Sequence, residues 1–169
     1  MSKSLGTLEK LELLIPGFRG YKVKELIRED DRLVRQYLIS KMLESLRIIE
    51  ETQAQVLTTA GLKAADELEM SARKLRMMVD KIKYAPTGYA GLFDRAKVWE
   101  EALNKLLDVD SKLAPTVNSI VDKVQVLKNV SSNPDPQVIN NTVTSINNLC
   151  DEIAKLIQQR EMLIIGQDQ

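Results

Sequence analysis

Apolar residues recur at three- and four-residue steps along nearly the whole chain and nowhere alternate with polar ones, a pattern that predicts helices and no strands. Leu5, Leu8, Leu11 and Ile15 form the first stripe, and Pro16 forbids its continuation. The spacing predicts a short amphipathic helix over 5–14, within an N-terminal element 5–15, placed as a lid or a docking helix. Val23, Ile27, Val34, Leu38, Met42, Ile49 and Val56 then mark a much longer stripe, flanked by Leu26, Leu33 and Leu46, which predicts a helix over 22–58. Thr58, Thr59 and Gly61 interrupt it. Leu62, Ala65, Leu68, Ala72, Leu75, Val79 and Ile82 define the next helix, to about 83, and the short link implies an antiparallel pair.

Pro86, Gly88 and Gly91 make 84–93 a loop, after which Asp94 is a natural N-cap. Val98, Ala102, Leu106 and Val109 follow it on one face. Pro115 predicts a kink in a bent helix whose stripe runs on through Val117, Ile120, Val121, Val124 and Leu127. Ser131 to Pro136 is the clearest break, and a last helix is expected over 139–165. The simplest way to bury these stripes is an all-α antiparallel bundle of four long helices with a short N-terminal helix, one domain over 1–169 with the main bundle at 22–165. Helices of this length also suit a hairpin that completes its core with a second copy, so monomer and homodimer both stand as expectations.

Against this helical background, six of the seven aromatic residues fall in two short segments, Phe18 and Tyr21 in one, Tyr84, Tyr89, Phe93 and Trp99 in the other. Four of the seven glycines, Gly17, Gly20, Gly88 and Gly91, lie there too. These two nodes either lock the fold or form its working surface. Phe93 and Trp99 flank a helix start, which favours a hydrophobic plug at the bundle end.

Among 169 residues, 24 basic side chains balance 24 acidic ones, but residues 1–97 are net basic by about four charges and the remainder net acidic by as many. That asymmetry is too weak for a nucleic-acid footprint and reads as solvated helix faces. With no histidine and one cysteine, nitrogen and sulfur metal sites and the usual nucleophile-base pairs cannot be built. Carboxylates cluster at Glu29, Asp30 and Asp31, at Glu100 and Glu101, and at Asp108 with Asp110, without the pairing of a di-iron bundle. Neither node has the glycine order of a phosphate cradle. The expectation is therefore a chain that is not an enzyme and takes no cofactor or metal. No long apolar run or signal peptide is read, so a cytoplasmic location is expected and a membrane is not. The N-terminal helix lacks an aromatic anchor for a membrane surface.

Asp30 falls on the inner face of its helix, where charge is expensive unless paired. Arg19 or Arg95, one in each node, is its expected partner, an ion pair that would fix how the nodes meet. Lys24, Arg28, Arg32 and Arg35 are expected as a basic stripe on the outer face of the same helix, bridged to Glu25 and Glu29 rather than to phosphate. Arg73, Lys74, Arg76, Lys81 and Lys83 form a second basic patch leading into Tyr84 and Tyr89.

Pro16-Gly-Phe-Arg-Gly-Tyr21, followed by Lys24-Glu25 and Asp31 to Arg35, together with Tyr89-Ala-Gly-Leu-Phe-Asp94 and Val98, resembles an uncharacterised family of prokaryotic helical proteins. The resemblance spans most of the chain and implies no activity, but it does imply that the two nodes matter together. The functional expectation is an interaction module, an adaptor or scaffold that binds another protein through Phe18, Arg19, Tyr21, Arg28, Arg32, Arg35, Tyr84, Tyr89 and Phe93. The alternative is a nucleic-acid or ribonucleoprotein binder that uses both basic patches, which would then have to share a face.

Overall fold

The fold is that of a computed structural model describing residues 6–22, 26–85, 96–131 and 135–165, with the side chains of 96–99 left aside. Five helices follow in order among these residues: α1 (Thr7–Leu14), α2 (Ile27–Ala60), α3 (Leu62–Tyr84), α4 (Ala96–Ser131) and α5 (Pro136–Ile165). Leu5, Val23, Lys24, Glu25, Gly88, Tyr89, Gly91, Phe93, Asp94 and Arg95, and the side chains of Val98 and Trp99, lie outside the described residues.

Helix boundaries follow local chemistry. Glu9 reaches back to accept the Gly6 N–H at 2.8 Å, closing the first turn of α1, and Pro16 ends it. Gly20 and Tyr21 adopt left-handed φ values of 71° and 58°, so the chain cannot enter α2 there and that helix starts later than the stripe alone predicts. Gly61, at φ 86°, is the whole link between α2 and α3. Asp135 accepts the N–H of Gln137 at 2.9 Å as N-cap, and Pro136 occupies the first helical position, so α5 begins three residues before the predicted 139. Pro115 sits inside α4, which continues past it; its exposed position lets water satisfy the Ser111 carbonyl left without a helical partner.

Cross-helix bonds give the helix directions. Gln53 with Glu69 and Glu50 with Arg76 make α2 and α3 antiparallel. Arg160 on Asp110, late in α5 against early α4, makes the second hairpin antiparallel. Between hairpins the sense reverses: Tyr37 with Asn118 and Glu51 with Lys128 run α2 alongside α4 in parallel. Ser71 with Asn147 and Lys74 with Asp151 do the same for α3 and α5. The four helices thus stand in the order α2, α3, α5, α4 around an aliphatic core, with α3 and α4 diagonal to one another.

The α2–α4 register carries residues 96–107 past the start of α2, about 18 Å at 1.5 Å per residue. The N-terminal segment fills that space. α1 packs on α4, and Leu11, Ile15, Phe18 and Tyr21 are buried there, the two rings edge to face with centroids 5.2 Å apart.

Candidate functional site

Where α3 runs out and the N-terminal segment takes its place, the core turns polar. Asp30 and Asp31 in the first turns of α2, Arg35 one turn on, Asp110 of α4 and Arg160 of α5 are all buried. Asp31 Oδ1 accepts from Arg160 Nη2 at 2.6 Å and Oδ2 from Arg35 Nε at 2.8 Å. Asp110 Oδ1 accepts from Arg160 Nε at 2.8 Å and Oδ2 from the Tyr21 hydroxyl at 2.5 Å. Asp30 turns to the backbone, taking the Tyr21 N–H at 2.9 Å and the Arg19 N–H at 3.3 Å. Arg35 Nη1 donates to the carbonyls of Ile82 and Ala85, both at 3.0 Å, and so caps the C-terminus of α3.

These contacts explain one another. Tyr21 holds a left-handed backbone that a bulky residue adopts only under constraint; its N–H is fixed by Asp30, its ring by Phe18 and its hydroxyl by Asp110. Asp30 and Asp31 sit at the positive end of the α2 dipole, and Arg160 stands near the C-terminus of α5. Burial raises the Asp110 carboxyl above its ordinary value of 3.8, against the opposing pull of the Arg160 guanidinium. All six carboxylate oxygens of Asp30, Asp31 and Asp110 accept a bond from the chain itself, and the cluster joins the N-terminal segment to α2, α4 and α5.

Beside it, α4 and α5 line an open groove of about 640 Å³ with Glu101, Asn104, Lys105, Asp108, Gln159 and Met162. Its charges pair locally, Lys105 with Glu101 at 3.3 Å and Asp108 with Lys112 at 2.6 Å. Among the described residues no group of acidic and sulfur side chains could hold a metal ion, and no helix is long and apolar enough to cross a membrane.

The residues expected to bind a partner separate sharply. Phe18 and Tyr21 are buried in the fold, and Tyr89 and Phe93 lie outside the described residues. Arg19 is exposed, and its guanidinium lies 3.5 Å from the buried Asp30; Arg95, the other expected partner, is outside the described residues. Arg28 and Arg32 are exposed, with Arg32 bound to Glu29 at 2.6 Å. Arg35 departs from the expected outer stripe and is buried. α2 packs on both α3 and α4, so its covered arc is wider than one stripe and takes in the α3 edge where Arg35 stands. Tyr84 does not plug the bundle end: it is 72% exposed, with Lys83 Nζ 5.2 Å from its ring centroid.

Leu62 also departs from its expected inner position, at 67% exposed. It begins a row with Met70 (49%), Met77 (52%) and Tyr84 on the outer face of α3, all within about 80° of arc at 3.6 residues per turn. Arg160, Asp31 and the Tyr21–Asp110 contact went unread, although their signal is present. Cys150, Ile153, Ile157, Arg160 and Ile164 step by three and four, as do Leu103, Leu106, Asp110, Leu113 and Val117, each series carrying one charge in an otherwise apolar stripe.

Comparison of the chain with protein-family models, with curated proteins and with solved structures finds no match.

Proposed function

We propose that this protein is a non-enzymatic interaction module whose rigid bundle presents the outer face of α3 to another protein. The observation that carries this reading is the row Leu62, Met70, Met77 and Tyr84: large apolar side chains exposed at intervals of about two turns on one helix face. Asp30, Asp31 and Asp110 are engaged by Tyr21, Arg19, Arg35 and Arg160 in the buried cluster, which supports a structural role for the N-terminal node.

The nucleic-acid reading has less in its favour. Arg73 binds Glu69, Arg76 binds Glu50 and Arg32 binds Glu29, and Arg35 is buried, which among the described residues leaves Arg28, Lys81 and Lys83 as exposed cations of the two patches to attract phosphates.

The test is a photo-crosslinking residue at Met77, with the same residue at the exposed Lys123 of α4 as control, in host lysate with and without nuclease. A discrete protein adduct at 77, missing at 123 and lost with Met70→Glu, is the expected result. Equal background at both positions would remove the α3 face as the working surface, and adducts that disappear with nuclease would favour the nucleic-acid reading.

A further inference from the structure

We propose that the partner of the α3 face is a second copy of this chain, paired antiparallel about Met70. The proposal rests on the reading of that face as the working surface and goes beyond it by specifying occupant and register.

The argument is charge complementarity. Near the middle of the exposed face stand Asp66 and Arg73, one of each sign, with the half-buried Glu67 and Glu69 beside them. A parallel copy in register sets like against like at every position. An antiparallel copy centred on Met70 sets Asp66 against Arg73 twice, with opposite signs. The midpoint of this pair lies within one residue of Met70, as does that of Leu62 with Met77. Each partner then stands one residue from its mirror position, about 1.5 Å along the axis, well within the reach of such side chains.

Shape agrees with charge. Between Leu62 and Arg73 the face is concave, a recess of about 570 Å³ lined by Leu62, Lys63, Asp66, Glu67, Glu69, Met70 and Arg73. In the antiparallel register Met70 and Met77 of the second copy come down over this recess, and unbranched methionine is well suited to filling an irregular hollow. Arg73 Nε is bonded to Glu69 at 3.1 Å, but a guanidinium carries five donors and can bind a second carboxylate. The contact is isologous, so two copies close on themselves and leave no open face to recruit a third. Exposed ion pairs add little affinity; their work here is to select the antiparallel orientation.

Sedimentation velocity over a concentration series tests this on the full chain. Wild type should associate to a dimer that weakens with salt. Arg73→Glu, which sets Glu against Asp66 twice, should weaken it roughly tenfold or more, and the swap Asp66→Arg with Arg73→Asp should restore it. Met70→Glu, which opposes two carboxylates at the two-fold axis, should abolish it, while Lys123→Glu should leave it unchanged; helical circular dichroism checks that each variant is folded. A chain monomeric throughout, or a dimer indifferent to Arg73→Glu and Met70→Glu, overturns the proposal. If the chain is monomeric yet a different protein crosslinks at Met77, the second copy is wrong and the α3 surface stands; if neither occurs, both fall.

Discussion

Tyr21 joins three parts of the fold through one side chain and one N–H, and its removal separates their contributions. Tyr21→Phe keeps the ring packing and deletes the hydroxyl donated to the buried Asp110; leaving that oxygen short of a donor should cost about 1–3 kcal/mol in urea unfolding. Arg160→Leu is harsher, because Asp31 and Asp110 then share the interior without their common counter-ion, and roughly 3–5 kcal/mol should be lost. A loss no larger than that of an exposed pair such as Lys105 with Glu101 would show that the cluster is wet. The pH dependence has a defined sign. Since the folded state raises the Asp110 carboxyl above 3.8, it binds that proton more tightly than the unfolded chain does. The associated stability is fully present below 3.8 and is lost as pH rises through the folded value. The stability difference between wild type and Asp110→Asn should therefore decline with rising pH, and a difference that grows would reverse the assignment. Cys150 supplies a reporter: burial pushes its thiol up to about 12, so alkylation at mildly alkaline pH should await unfolding.

Glycine has different grounds at two element boundaries. A Cβ on Gly20 would stand 2.2 Å from Leu8 Cδ1, in addition to the strain of a left-handed φ, whereas one on Gly61 would meet nothing within 4 Å. Gly61→Ala should cost only the backbone penalty of its φ 86°, ψ 177° conformation, about 1–3 kcal/mol, and Gly20→Ala should cost its own left-handed strain plus about 1–3 kcal/mol of overpacking between α1 and the turn. Thermal melts of both, and of Gly20→Ala with Leu8→Ala, decide whether α1 is what demands glycine there. Four long helices and a short one are legible from period and punctuation, because a three-to-four step and a proline or glycine stop act locally. Arg35 is where that local reading fails. Its phase suits an exposed stripe on an isolated helix, but two neighbours cover α2, and the second neighbour leaves no mark in the sequence of α2 itself. Leu62 fails the opposite way: it stands three residues before Ala65, but the stripe from Ala65 to Ile82 centres about 110° away around the helix, so Ala64 and Ala65 take the inner positions and Leu62 falls on the outer face with Met70 and Met77.

At the scale of the molecule, each hairpin is implied by its short link, but the parallel contact between hairpins is not. Swapping the positions of α4 and α5 would bury the same apolar stripes; what distinguishes the observed arrangement is a handful of polar pairs such as Tyr37 with Asn118 and Ser71 with Asn147. The polar cluster was half legible for the same reason. A carboxylate in an apolar stripe marks Asp30 as needing a partner, whereas the meeting of Tyr21, Asp31, Asp110 and Arg160 requires three helices and a turn to be placed first. That meeting also sets an order in time. Asp31 and Asp110 are synthesised long before Arg160, which joins Asp31 across 129 positions of chain and Tyr21 across 139. On the ribosome the first hairpin, and even α4, can assemble while their carboxylates still await a counter-ion, so the N-terminal segment acquires its full anchorage only when the last turns of α5 emerge. A nascent chain stalled before residue 160 should accordingly show a protease-sensitive N-terminal segment on an already protected α2–α3 hairpin, with protection of that segment arriving late and all at once.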